Sequence, residues 1–131
     1  MKVFKFGGAS VKDAAGVQNL VLILEKVGFK ETLIVVSAMG KTTNALEAII
    51  ETYFKNKKQT QKGILALKQF HLDVVKDLFR EESGEAEAAI HQLFEELITF
   101  FNTNKSTDYS FVYDQVVSYG ELLSTTIIHH F

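Results

Sequence analysis

Cysteine is absent from all 131 residues, which excludes disulfides and thiolate chemistry outright. That absence fits a reducing compartment. Proline is absent too, and nothing about function follows from it. Neither sign of charge dominates: the formal net charge of −2 gives no reason to expect nucleic acid or an anionic membrane as a partner. No apolar run approaches the roughly 20 residues that a bilayer-spanning helix needs. Met1 to Phe6 lacks the apolar region and small-residue cleavage site of a secretory signal. The expected location is therefore cytoplasmic. What remains is 47% hydrophobic and 23% charged, the balance of a globular domain long enough to bury a core.

Lys2 to Phe6 is short, apolar and closed by Gly7-Gly8, so it reads as a strand. Ser10 is a candidate cap for a helix carrying Val17, Leu20, Val21 and Leu24, with Asp13 in its first turn and Gly28 as its stop. Thr32 to Val36 is a second β-branched run. The two strands and the helix between them form a β-α-β unit, for which a parallel pairing with a right-handed crossover is expected. Helical spacing follows in Thr42–Phe54, from Ile64 to Leu78, from Ala86 to Phe101, and after Asp108. Lys55 to Lys62 reads as a solvated turn, and most of the 11 phenylalanines read as core. A parallel sheet is normally buried on both faces and built from several strands. Two strands, and an apolar helical pattern still running at Ile127-Ile128, suggest part of a larger domain.

Three segments have the composition of a ligand site. Lys5-Phe6-Gly7-Gly8-Ala9-Ser10 follows a strand and opens a helix. Paired glycines let backbone amides approach a ligand, the helix start adds partial positive charge, and Lys5 adds a full one. That set suits phosphate, although a lone Gly-Gly is more often a tight turn. The segment is neither a Walker loop nor the glycine fingerprint of dinucleotide folds.

Val35 to Asn44 repeats the arrangement at the end of the second strand, with Ser37, Gly40, Thr42, Thr43 and Asn44. Open α/β sheets bind ligands there. Helix capping by Thr42 or Thr43 is the plainer reading of those hydroxyls. Ser118-Tyr119-Gly120-Glu121 places a glycine in a helical pattern, at a cost of about 1 kcal/mol relative to alanine. Something that needs close approach there would explain it. Glu121 can receive an ammonium group, though a solvated glutamate at a kink is the commoner case. The four histidines are scattered and suggest no metal site.

Together the three segments resemble the aspartate kinases of the amino-acid kinase family. That family carries K-F-G-G-[TS]-S, then V-V-S-A-M with a glycine and T-[ND], then S-x-G-E followed by a hydroxyl residue. The matches are Lys5–Ser10, Val35–Asn44 and Ser118–Ser124, in order and across the whole chain. The resemblance implies an α/β, three-layer amino-acid-kinase fold, truncated here to a parallel β-α-β unit followed by a helical lobe. Residues 1–131 would be the N-terminal part of the catalytic domain. The adenine pocket, the arginine that grips the substrate α-carboxylate and the regulatory ACT domains would lie outside it.

The implied reaction is transfer of a phosphoryl group from ATP, bound with Mg²⁺, to the side-chain carboxylate of L-aspartate. It gives 4-phospho-L-aspartate, the opening step of lysine, threonine and methionine biosynthesis. Carried over from the family, Lys5 would be catalytic and would stabilise the moving phosphoryl group. Gly7, Gly8, Ser10, Ser37 and Gly40 would line the phosphate region. Ser37, Thr43 and Glu121 would bind aspartate, Glu121 taking its ammonium. The parent would be a homo-oligomer, and this chain alone would be inactive. Ala9 stands where the family often has threonine. Two alternatives remain: another amino-acid kinase, of the acetylglutamate or nucleotide-monophosphate type, and a non-catalytic helical interaction module.

Overall fold

The computed structural model describes residues 1–131 throughout. The chain begins with strand β1 (Lys2–Phe6), helix α1 (Ala14–Val27) and strand β2 (Thr32–Val36). It continues through α2 (Thr42–Lys55), α3 (Thr60–Phe79), α4 (Gly84–Thr103), α5 (Tyr109–Val117) and α6 (Tyr119–His130). β1 and β2 pair in parallel, from Lys2 opposite Thr32 to Phe6 opposite Val36. Both strands therefore end at the same edge, as the crevice rule for α/β sheets anticipates.

Local chemistry sets the α1 boundaries. Asp13, not Ser10, caps the helix: its carboxylate accepts the Gly16 amide at 2.9 Å. Ser10 lies earlier, in a turn where its own amide donates to the Gly7 carbonyl at 3.0 Å. Three residues separate the glycine turn from the helix, so the serine stands too far back to reach an unpaired helix amide. At the other end Gly28 adopts φ +83°, and its amide closes onto Leu24. At α2 the expected threonine cap is not made. Lys41 occupies the cap position without a side-chain bond, and Thr42 is already in the helix with its hydroxyl buried.

The core is helical. Leu46 and Ile50 of α2 belong to one apolar cluster with Ile64 and Val75 of α3, Ile90, Phe94 and Leu97 of α4, Val112 and Val116 of α5, and Leu123 and Ile127 of α6. These recur three or four residues apart, the spacing that puts side chains on one helix face. Lys55 to Lys62 is more ordered than a turn: α2 runs through Lys55, and a 3-10 turn at Lys57–Gln59 leads into α3. Of the 11 phenylalanines, Phe94 and Phe101 are buried and Phe4, Phe6, Phe79 and Phe100 pack against the core, whereas Phe29, Phe54, Phe70, Phe111 and Phe131 are exposed.

Sheet and helices are unequally buried. Among strand residues only Val36 is in the buried core, with Phe4 and Phe6 packed against it. The opposite sheet face presents Val3, Leu33 and Val35, exposed by 61%, 50% and 41%. No helix is long and apolar enough to cross a membrane.

Candidate functional site

Each strand ends in a turn, and each turn is pinned by one apolar side chain. Val11 follows the first glycine turn and Met39 sits in the second; both are fully buried. Burying a side chain of that size contributes about 1.5–3 kcal/mol, so the core holds both turns at the strand edge. Sequence periodicity missed these anchors because they lie outside any helix or strand.

The two turns touch. The Ser37 amide donates to the Phe6 carbonyl at 2.9 Å, continuing the ladder by one rung. The Gly40 amide then donates to the Gly8 carbonyl at 3.1 Å. A Cβ on Gly8 would stand 2.9 Å from the Ala38 carbonyl oxygen, so only glycine fits there without displacement. Gly40 has φ +52°, a left-handed conformation that glycine adopts at no steric cost. Gly7 differs from both, since a Cβ there would meet nothing within 4 Å. The amides of Gly7, Gly8 and Ala9 make no hydrogen bond within the chain. Three successive free donors just after exposed Lys5 form a cradle suited to an anion.

The third segment joins the second turn. Gly120 is buried in the first turn of α6, where a Cβ would lie 2.8 Å from Ala38 Cβ and 3.8 Å from Thr42 Cγ2. This is the close approach that a glycine in a helical pattern foretold. Glu121 follows and is exposed, while its carbonyl accepts the Thr125 hydroxyl at 2.7 Å. Ser37 and Thr43 are half-buried, the latter in the first turn of α2. Burial, then the nearby Glu96 carboxylate of α4, push the Tyr119 hydroxyl above the ordinary tyrosine range. Gly7, Gly8, Ser37 and Gly40 thus lie on two touching turns, with Lys5 near the end of β1, Thr43 at the start of α2, and Glu121 following the glycine packed against the second turn. Ser10 stands at the far end of the first turn, exposed.

The sequence profile of the amino acid kinase family matches residues 1–131. The chain belongs to that family. Among curated proteins, this amino acid kinase chain is 31% identical over 137 residues to aspartokinase 1, chloroplastic, of Arabidopsis thaliana, a match covering 95% of this chain and 22% of that protein. Among solved structures it superposes on E. coli aspartokinase III in complex with lysine and aspartate, with a TM-score of 0.83 at 24% identity. The same enzyme with aspartate and ADP gives 0.82 at 24% identity. Each superposition covers 98% of this chain and 28% of the other. The amino-acid-kinase fold expected from the motifs is thus the fold found. The chain spans about a quarter of the length of the relatives it matches.

Proposed function

We propose that this chain supplies the phosphate-binding and part of the substrate-binding surface of an aspartate kinase. The carrying observation is the meeting of three segments at one strand edge, Gly8 against Gly40 and Ala38 against Gly120. The related E. coli enzyme binds aspartate and ADP, which supports aspartate and a nucleotide as ligands here.

In this reading an aspartate carboxylate oxygen attacks the γ-phosphorus of ATP, and the bond to ADP breaks. The product, 4-phospho-L-aspartate, would enter lysine, threonine and methionine biosynthesis. Such a transfer needs chiefly positioning and neutralisation of spread-out negative charge. Lys5 and the free amides of Gly7 and Gly8 hold the transferring group. Ser10, Ser37 and Gly40 line the phosphate region. Ser37 and Thr43 face the aspartate, and Glu121 pairs with its ammonium.

Mg²⁺ would accompany the ATP and neutralise charge on its phosphates. The remainder of the kinase domain, the regulatory domains and the subunit contacts of a homo-oligomer lie outside residues 1–131. On this reading the chain alone gives no turnover, and a cytoplasmic location is proposed for the working enzyme.

The test replaces the matching segment of E. coli aspartokinase III with this chain. ADP release requiring both ATP and aspartate, and lost in Lys5→Ala, is the expected result. Release that accepts another carboxylate or a nucleotide monophosphate but not aspartate overturns the substrate assignment.

A further inference from the structure

A second concave site runs between α2 and α3, starting at Lys41 and Thr42 just after the second turn. It is a groove of about 620 Å³, within the range of small-molecule sites. Ile49 and Leu67 form its buried floor, and small residues, among them Ala45, Ala48 and Ala66, keep it open. Gly63 brings the helices together: a Cβ there would stand 2.9 Å from Ile49 Cγ1.

Polar groups stand only at the ends. Lys41 and Thr42 mark the start of α2; Gln59, Thr60 and Lys62 mark the start of α3. The short connection between the helices makes them antiparallel neighbours, so the two starts fall at opposite ends of the groove. Along α2 the lining runs from Thr42 to Thr52, a rise of about 15 Å.

Thr42 is 2% exposed and Thr60 5%, and neither hydroxyl has a hydrogen-bond partner. A buried hydroxyl without a partner is costly and uncommon. Both threonines line the groove, and a helical threonine has two accessible χ1 rotamers that place its hydroxyl differently. No carboxylate lines the site, and each end pairs one lysine with one orphan threonine.

We propose that this groove binds a linear organic dianion: a medium-length apolar chain with a carboxylate at each end. Each carboxylate accepts from a lysine ammonium and a threonine hydroxyl, and the methylenes lie on Ile49 and Leu67. The inference stands on the groove alone and is independent of the kinase reading.

Sebacate (decanedioate) is the probe, titrated into the isotope-labelled chain with amide shifts and heat of binding recorded. Saturable binding is expected, with shifts concentrated at Ala45, Ala48, Gly63 and Ala66. Lys62→Met, at an exposed position that leaves the core intact, weakens it about tenfold, as does Thr60→Val, the scale of one lost charge-assisted hydrogen bond. Decane-1,10-diol, of similar length without charge, binds more weakly than sebacate by a similar factor or more. Absence of saturable shifts at millimolar sebacate overturns the proposal. So does a diol that binds as well, or sebacate binding unchanged in Lys62→Met.

Discussion

The Gly40 amide donates to the Gly8 carbonyl at 3.1 Å, locking the turn after β1 to the turn after β2. The same approach leaves no room for a side chain on Gly8, since a Cβ would stand 2.9 Å from the Ala38 carbonyl oxygen. Gly8→Ala is therefore expected to destabilise the chain by about 1–3 kcal/mol through overpacking against backbone that cannot rotate away. Gly7→Ala, facing open space, is expected to leave the urea midpoint within error. Chemical denaturation of both variants tests this; equal losses would remove steric contact between the turns as the reason for Gly8.

The contact between Gly120 and Ala38 makes a paired prediction. Gly120→Ala drives a methyl toward Ala38 Cβ and lowers stability. Ala38→Gly removes the obstructing atom, so the double variant should recover part of the loss. A coupling energy of about 0.5–3 kcal/mol is expected for residues in direct contact. Strict additivity in a denaturant double-mutant cycle would show that the two segments do not touch in solution.

Much of this arrangement is legible in the residues. The pairing of β1 with β2 follows from two short apolar runs separated by a capped helix, and parallel pairing puts both glycine turns at one edge. Gly120 declared itself through its helix penalty. What could not be read was the depth of the turns. Val11 and Met39 have no periodic partners, and their burial depends on helices far along the chain. The Ser10 cap failed for a local reason: serine and aspartate both suit the role, and only the number of turn residues decides between them. Thr42 failed because tertiary packing buried its hydroxyl where a free helix would use it as a cap.

His71 makes the fold sensitive to acid. It is buried between Phe70 and Phe94, and its Nδ1 lies 2.9 Å from the Leu67 carbonyl oxygen. Burial lowers its pKa from 6.5, with the Leu67 hydrogen bond opposing the shift. The unfolded chain binds a proton as pH falls below 6.5, whereas native His71 does so only at lower pH. Stability is thus intact above 6.5 and declines as pH drops through that value toward the lowered native one. Urea midpoints between about pH 7.5 and 5.5 should fall for the parent chain and fall less for His71→Phe. Identical slopes would assign the acid sensitivity elsewhere.

Kinetics of the chimeric kinase should separate Lys5 from Glu121. A lysine that meets charge spreading in the transition state acts on turnover. A carboxylate that holds an ammonium unchanged through the reaction acts on substrate binding. Lys5→Ala is expected to lower kcat by about 10²-fold or more, as for loss of one preorganised donor. Glu121→Ala should raise KM for aspartate and leave KM for ATP nearly unmoved. The reverse pattern for Glu121 would detach Ser118–Glu121 from aspartate recognition.

The open face of the sheet, with Val3, Leu33 and Val35 facing solvent, also bears on motion. Local opening free energies follow the apolar contacts a segment makes, so a two-stranded ribbon seated mainly on Val36, Phe4 and Phe6 should open before the helices do. Backbone amides of β1 would then exchange with solvent hydrogen sooner than those of α2 or α4. Lys5 and the Gly7-Gly8 cradle ride on that early-opening strand. Anything that covers the exposed face, whether further strands or packed helices, would slow that exchange and stiffen the cradle without touching one of its atoms.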